Sequence, residues 1–260
     1  MITIIYCFIV LLATTLGACA GIGGGIIIKP FMDFLNYDNV ATISFYSANA
    51  VFAMACFSSI KRLCKNHDFN LKLILIIAIT SIIGGLIGNL TFNYCLKIFS
   101  TQSVKAVQSF SLCLLMLFIL SFYIFKFKSL HIKNFALISL IGLILGFISS
   151  FLSIGGGPAN VAVYSWLFGF DLKISVTYSL ATILFAQGAQ LTQTALSVGY
   201  ASFNYVMLFF IIPSAILGGV LGSAIYKKIK ETQIKYILIT TMSFIFALNV
   251  YNLITVLSIL

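Results

Sequence analysis

Long apolar runs constrain this chain more than any other feature of its sequence. Eight segments reach roughly the 20 residues that a helix needs to cross the hydrocarbon core of a bilayer. Only 8% of the residues are charged, against about 25% in a soluble domain. The sequence therefore predicts an all-α polytopic membrane protein with eight full spans. They are Ile2–Ala20, Val40–Ile60, Leu73–Tyr94, Ala106–Phe125, Phe135–Leu152, Leu172–Val198, Tyr205–Ile225 and Tyr236–Leu257.

The net charge of +10 has a membrane explanation. In a soluble chain it would indicate binding to nucleic acid, but in a membrane protein an excess of Lys and Arg is typical of loops that face anionic lipid. The expected partners are the lipid bilayer and a small anionic substrate, with no nucleic acid. Assembly as a homodimer is left open.

The first apolar run is predicted to be a retained membrane helix. Leu16-Gly17-Ala18-Cys19 resembles a lipoprotein cleavage site, but no Lys or Arg precedes the run, as a signal peptide requires. A similar segment leads to Gly155 in the middle of the chain, where a signal peptide cannot act.

Two glycine motifs interrupt the apolar pattern. Gly21-Ile22-Gly23-Gly24-Gly25 follows the first run, and Ser153-Ile154-Gly155-Gly156-Gly157 follows the fifth. Adjacent glycines stop a helix because each loses much backbone entropy on ordering. The elements behind them, Ile26–Leu35 and Pro158–Phe170, are too short to span a bilayer. Broken helices at membrane depth are tolerated where they line a protein interior or a cavity, so these motifs are the first candidate site.

The motifs also indicate an internal repeat. Gly21 and Ser153 are 132 residues apart, and the Gly-Gly-x-x-Gly motifs that begin at Gly84 and Gly218 are 134 apart. Such similar offsets predict two homologous membrane repeats, residues 1–126 and 127–260.

The basic residues help to choose between two topologies for these repeats. If the short elements do not cross, the repeats are parallel and the 15 Lys and Arg residues divide almost evenly between the two sides. If each short element completes a crossing, the repeats are inverted and the loops 61–72, 126–133 and 226–235 share one side with eleven of them. Because Lys and Arg favour the cytoplasmic side, inverted repeats are favoured. Re-entrant short elements are left open.

The same glycines carry a family resemblance. Gly21-Ile-Gly-Gly-Gly with Pro30, and Ser153-Ile-Gly-Gly-Gly-Pro158 followed by Ser179-Leu-Ala-Thr182, resemble the duplicated motif of the TauE/SafE sulfite exporter family over essentially the whole chain. The resemblance implies a transporter of small anions such as sulfite, thiosulfate and sulfonates in the inner or plasma membrane, with no cofactor. Lys29, where an apolar residue is expected, and the position of Pro158 depart from that pattern.

Physical chemistry favours an anion at the glycines. A helix that starts after each motif points free N–H groups and its positive dipole end at the break. Close helix packing is the alternative role for small residues in membranes; it is preferred for Gly84, Gly85, Gly88, Gly218, Gly219 and Gly222. The predicted substrate-binding residues are Gly23, Gly24, Gly25, Gly155, Gly156, Gly157, Lys29, Ser47, Asn49, Asn160, Ser179, Thr182 and Gln187.

Polar side chains complete the predicted site. Ser47 and Ser179 correspond at the 132 offset and supply hydroxyl donors, as the amide of Asn49 does. Gln187, Gln190 and Thr194 share a helix face, either for hydrogen bonds between helices or for substrate passage. Lys29 either faces the anion, with Asp33 as a partner one turn on, or extends to the membrane interface.

Several absences narrow the function. No Walker motif occurs, no carboxylate lies clearly inside a span, and both histidines fall in loops, so neither ATP drive nor an enzyme is expected. The six cysteines lack a Cys-x-x-Cys pair, which disfavours a disulfide framework or metal site. The sequence therefore predicts alternating access to a central anion site between the two breaks. An ion-coupled carrier of another organic acid or a zwitterion is the alternative.

Overall fold

The computed structural model describes residues 2–63, 71–125, 128–132, 134–197, 199–200 and 203–258. Within them lie ten α-helices and no strand, which confirms the all-α class. The helices are α1 Ile2–Ala20, α2 Gly25–Leu35, α3 Val40–Leu63, α4 Leu71–Ile98, α5 Thr101–Phe125, α6 Phe135–Phe151, α7 Gly157–Leu167, α8 Leu172–Ser197, α9 Leu208–Lys228 and α10 Glu231–Leu257. His67 in the 61–72 loop, and positions 126, 127 and 133 of the linker, lie outside the described residues.

Six of the described helices, rather than eight, are long and apolar enough to cross a membrane: α1, α3, α4, α5, α9 and α10. Helix α6 has only 17 residues. Helix α8 is long, but its Ser, Thr and Gln side chains lower its apolar character, and many of them are buried against other helices. The count of eight spans stays a prediction.

Glycines hold two pairs of helices in close contact. Helix α4 packs along α6 and α1 along α9, with each pair running in the same direction. At four points an added Cβ would meet the backbone of the neighbouring helix, which confirms the packing interpretation of these glycines. The four contacts are Gly84 with Leu143, Gly88 with Phe147, Gly218 with Leu11, and Gly222 with Thr15.

Helices α1 and α2 form a helical hairpin, and so do α6 and α7. After the first glycine motif the chain reverses, so that Gly24 lies against Ala13 of α1. The hydroxyl of Tyr6, near the start of α1, donates to Asp38 just beyond α2 (2.8 Å). In the second hairpin, the backbone N–H of Leu130, before α6, donates to the carbonyl of Trp166 near the end of α7 (2.9 Å).

Two other pairs of helices run antiparallel. The start of α3 and the end of α8 line one small cavity, with Ser44 and Gln190 among its residues. The end of α5, at Tyr123, and the start of α10, at Glu231, line another cavity. The bundle therefore has two distinct ends.

We call the end that holds Arg62 and Tyr226 the basic end, and the end that holds Lys105 and Asp33 the opposite end. At the basic end, Arg62 lies over the ring of Tyr226, whose hydroxyl donates to the carbonyl of Lys173 (3.0 Å). At the opposite end, Lys105 at the start of α5 forms an ion pair with Asp33 of α2 (3.9 Å).

Candidate functional site

The two glycine turns meet tip to tip in the middle of the fold. We call Gly21–Gly25 together with Ser153–Gly157 the glycine junction. Gly24 and Gly156 take left-handed φ values of 70° and 66°, which favour glycine. A Cβ on Gly25 would lie 2.6 Å from the carbonyl oxygen of Ile154. The backbones thus approach too closely for any larger residue.

Ser47 and Ser179 clamp the junction from α3 and α8. The Ser47 hydroxyl donates to the carbonyl of Ser153 (3.3 Å). The Ser179 hydroxyl lies near two carbonyls, at 2.8 Å from that of Gly21 and 3.1 Å from that of Gly157. Each half of the chain thus holds the turn of the other half. Both predicted site residues lie at the junction, where their hydroxyls contact the protein backbone.

The N-termini of α2 and α7 both point at the junction. Among the described residues, the amides of Gly25 and Ile26 make no backbone hydrogen bond, whereas the Ile27 and Ile28 amides donate to the carbonyl of Gly24 (2.9 Å each). In α7, the side-chain oxygen of Asn160 is buried next to Gly156 and has no hydrogen-bond partner in the described structure. The free amides of α2 and the positive dipole ends of both helices therefore lie at the junction, beside one free acceptor, the side-chain oxygen of Asn160.

Three other predicted residues have partners outside the junction. The Thr182 hydroxyl lies 2.6 Å from the hydroxyl of Tyr164 in α7. The Asn49 amide donates to the carbonyl of Phe45 in its own helix (2.9 Å). Gln187 donates to Ser149 of α6 (3.3 Å), and its side-chain oxygen is buried without a partner among the described residues. Gln187 thus links two helices and keeps one free acceptor.

Lys29 is buried between helices and does not extend to the membrane interface. Its side chain is 1% exposed, and Nζ donates to Oε1 of Gln108 (2.6 Å) and to the hydroxyl of Ser44 (3.3 Å). Asp33 forms its ion pair with Lys105 rather than with Lys29, so the expected pairing along α2 is not formed. The partners that Lys29 binds directly are therefore neutral.

A small cavity lies near Lys29, which does not itself line it but contacts two of its lining residues. It has a volume of about 30 Å³ and lies between α3, α4 and α8, which is room for one or two waters. Ser44, which binds Lys29, and Phe92, whose ring centroid lies 5.7 Å from Lys29 Nζ, both line it. The side-chain oxygen of Gln190, 4% exposed, has no partner among the described residues. We call this cavity the Lys29 pocket; its other polar residues are Asn89, Asn93 and Thr194.

Sequence reasoning missed Ser44, Asn89 and Gln108 as parts of the site. Each is a polar residue inside an apolar run, a signal that marks interior or cavity-facing positions in membrane proteins. Gln108 also donates to the carbonyl of Phe151, the last residue of α6 (2.7 Å). It thereby connects Lys29 to the helix that leads into the second glycine turn.

These features define a class: an integral, multi-pass membrane protein with two broken helices that meet beside buried polar groups. The chain belongs to the sulfite exporter TauE/SafE family, whose profile matches residues 6–249. It is therefore a transmembrane transporter of that family, and the resemblance seen in the glycine motifs is confirmed.

A curated relative supports this assignment. The chain is 26% identical over 252 residues to a Bacillus subtilis (strain 168) protein named "Probable membrane transporter protein YunE". The match covers 88% of this chain and 90% of the relative. No solved structure matches the chain.

Proposed function

We propose that this protein moves small sulfur oxyanions or organosulfonates, of the sulfite, thiosulfate or sulfoacetate type, across the inner or plasma membrane. The anion binds beside the glycine junction, in a state of the transport cycle in which the Lys29 pocket is wider than the space for one or two waters seen here. The observation that carries the proposal is Lys29 itself, a buried amine with neutral direct partners near a cavity that has polar side chains in its wall.

Electrostatics favours an anion over a neutral or cationic solute. A buried ammonium group is costly unless it is paired or well hydrogen-bonded. Lys29 has two hydrogen-bond acceptors, Gln108 and Ser44, and no carboxylate lines the pocket. Asp33 lies near both Lys29 and Lys105, so these three groups carry one unbalanced positive charge, which a bound anion balances. The N-termini of α2 and α7 add positive potential nearby.

The fold favours inverted repeats of residues 1–126 and 127–260. In the proposed arrangement each half has one hairpin that enters and leaves on the same side, followed by three full crossings, which makes six full spans and not the eight that the sequence predicts. An odd number of crossings inverts the second half, in agreement with the antiparallel pairs α3–α8 and α5–α10. Lys173 lies at the basic end, because its carbonyl is bound by Tyr226, and the proposed arrangement puts the eleven Lys and Arg residues of the loops 61–72, 126–133 and 226–235 on the same side. The basic end then faces the cytoplasm.

Alternating access follows from this symmetry. Rocking of one half against the other around the junction would open the pocket to one side at a time, as in other inverted-repeat transporters. No coupling ion is required for export, because an inside-negative potential of 100 mV favours anion exit by about 2.3 kcal/mol per charge.

The experiment is flux of sulfite and thiosulfate from proteoliposomes under an imposed membrane potential. Lys29→Met is expected to lower flux about tenfold or more, since a charge-assisted hydrogen bond contributes about 1.5–3 kcal/mol. The control is Lys97→Met, which removes an exposed charge at the same end and should retain flux. Unchanged flux in Lys29→Met would refute the pocket. Wild-type flux that ignores potential and substrate charge would favour the carrier of a zwitterionic solute instead.

A further inference from the structure

Arg62, the single arginine of the chain, is buried near the end of α3. It is 7% exposed, its Nη2 donates to the carbonyl of Ala18 in α1, and its Cζ lies 3.6 Å from the ring centroid of Tyr226. The other two nitrogens, Nε and Nη1, are buried and have no hydrogen-bond partner within the described residues. No ion pair of Arg62 is formed in that part of the chain.

Such a guanidinium lacks a counter-charge. Burial of an unpaired charge costs several kcal/mol, and unsatisfied donors add to that cost. The cation–π contact with Tyr226 contributes only about 0.5–2 kcal/mol. Two hydroxyls one turn away already donate elsewhere, that of Ser223 to Ser58 (3.3 Å) and that of Ser58 to the Met54 sulfur (3.7 Å). In this cluster the donors without an acceptor among the described residues are Nε and Nη1 of Arg62 and the Ser59 hydroxyl.

The cluster is the counterpart of the Lys29 pocket in the other half of the chain. At the offsets of 132 for α3 and α8 and 134 for α4 and α9, its residues correspond to residues that line that pocket. The pairs are Arg62 with Thr194, Ser58 with Gln190, Ser223 with Asn89, and Tyr226 with Phe92. The Lys29 pocket thus has the small residue Thr194 at the position where the other half has Arg62.

We propose that Arg62 is a second binding position for the transported anion, on the basic-end side of the glycine junction. This inference rests on the function proposed above. Lys29 binds the anion on the opposite side of the junction, and Arg62 binds it on the basic side through its free Nε and Nη1 groups. Arginine suits oxyanions of sulfur because its planar group presents several N–H donors at once.

The first test uses the fact that Arg62 is the only arginine. Phenylglyoxal, which modifies arginine, should label the wild-type protein at one position, read by mass spectrometry. Sulfoacetate at increasing concentration should slow this labelling several-fold, whereas gluconate at the same ionic strength should not. Because Arg62 is buried, labelling requires the transport cycle to expose it, as binding of an anion also does. No labelling during transport, or labelling at the same rate with and without sulfoacetate, would overturn the proposal.

The second test separates binding from a purely structural role. In oriented proteoliposomes, Arg62→Gln should raise the apparent KM for thiosulfate about tenfold or more from the basic end, with Arg62→Lys intermediate. Lys228→Gln, which removes an exposed charge at the same end, is the control and should match wild type. If Arg62→Gln only lowers the melting temperature and leaves KM unchanged, Arg62 merely joins α1 to α9 and the inference fails.

Three further outcomes are informative. Asp68 lies outside the described residues; if Asp68→Asn raises KM and lowers the melting temperature as Arg62→Gln does, then a loop carboxylate is the partner of Arg62, and the inference fails. Wild-type flux that depends on Lys29 but not on Arg62 refutes only this inference. Absence of any anion flux in the wild type refutes the proposed function itself.

Discussion

Alanine at the first residue of α2 should force the two glycine turns apart. Gly25 and Gly157 begin α2 and α7, and neither has a left-handed φ. Substitution by alanine therefore changes steric contact and not backbone preference. A Cβ on Gly25 would lie 2.6 Å from the carbonyl oxygen of Ile154 and 2.8 Å from its carbon.

The expected cost follows from those distances. Ordinary contact begins at 3.4 Å, so the Ile154 backbone must move by about 0.8 Å. Overpacking of this kind typically costs about 1–3 kcal/mol. Gly157→Ala should cost more than Gly25→Ala, because its Cβ would overlap the backbone of Ile22 more deeply. Gly188→Ala is the matched control, since its nearest neighbour is a ring atom of Phe52 at 3.1 Å, which can shift.

The assay is thermal unfolding of purified protein followed by tryptophan fluorescence, together with thiosulfate flux. The chain has one tryptophan, Trp166, and it lies near the end of α7 in the second hairpin. We expect the apparent Tm to be highest in Gly188→Ala, lower in Gly25→Ala and lowest in Gly157→Ala. Flux should follow the same ranking. If all three variants unfold together, the turns do not touch as described and the reasoning is refuted.

Two further predictions concern the clamp and the topology. Ser179→Ala should lower the free energy of unfolding by about 1–2 kcal/mol and Ser47→Ala by about 0.5–1 kcal/mol, because a hydrogen bond contributes about 0.5–1.5 kcal/mol. The cost is larger for Ser179 because its hydroxyl contacts two carbonyls and that of Ser47 contacts one. Equal unfolding curves for the two variants would contradict this. In a background without native cysteines, Lys97→Cys and Lys230→Cys should be labelled by an impermeant maleimide from opposite sides of the membrane, whereas labelling from one side would refute inverted repeats.

The glycine breaks could be predicted closely because their cause is local. The sequence predicts the end of the first helix at Ala20 and the start of the next at Ile26, and the structure has Ala20 and Gly25. Three adjacent glycines lose helix propensity at the same place whatever packs around them. Local chemistry therefore decides this feature.

Helix starts outside the apolar runs were harder to predict. Helix α10 begins at Glu231 rather than Tyr236, and α5 at Thr101 rather than Ala106. An apolar run reports the part of a helix inside the membrane, whereas polar turns extend beyond it. Capping residues carry the missing signal: the Ser100 hydroxyl accepts the amide of Ser103 (3.1 Å) at the start of α5.

The partners of Lys29 could not be read from the chain. Its position four residues past Gly25 indicates that Lys29 lies deep in the fold. The sequence does not indicate its partner, because Gln108 is 79 residues away. That contact exists only because α5 packs beside the first hairpin. Asp33 is an equally local candidate, yet it pairs with Lys105. Spacing along a helix gives candidates, and packing between helices selects among them.

The two buried cations, Lys29 and Arg62, lie at positions where the two halves of the chain differ. The glycine turns and the serine clamps recur in both halves, but Lys29 corresponds to Val161 and Arg62 to Thr194. In the proposed arrangement each side of the junction thus has one buried cation from the first half, held by a different group. Conduction requires binding that is strong enough to admit an ion and weak enough to release it. Two separate single-cation positions meet that requirement better than one site with both charges, because an anion that leaves one position finds a second before it meets solvent.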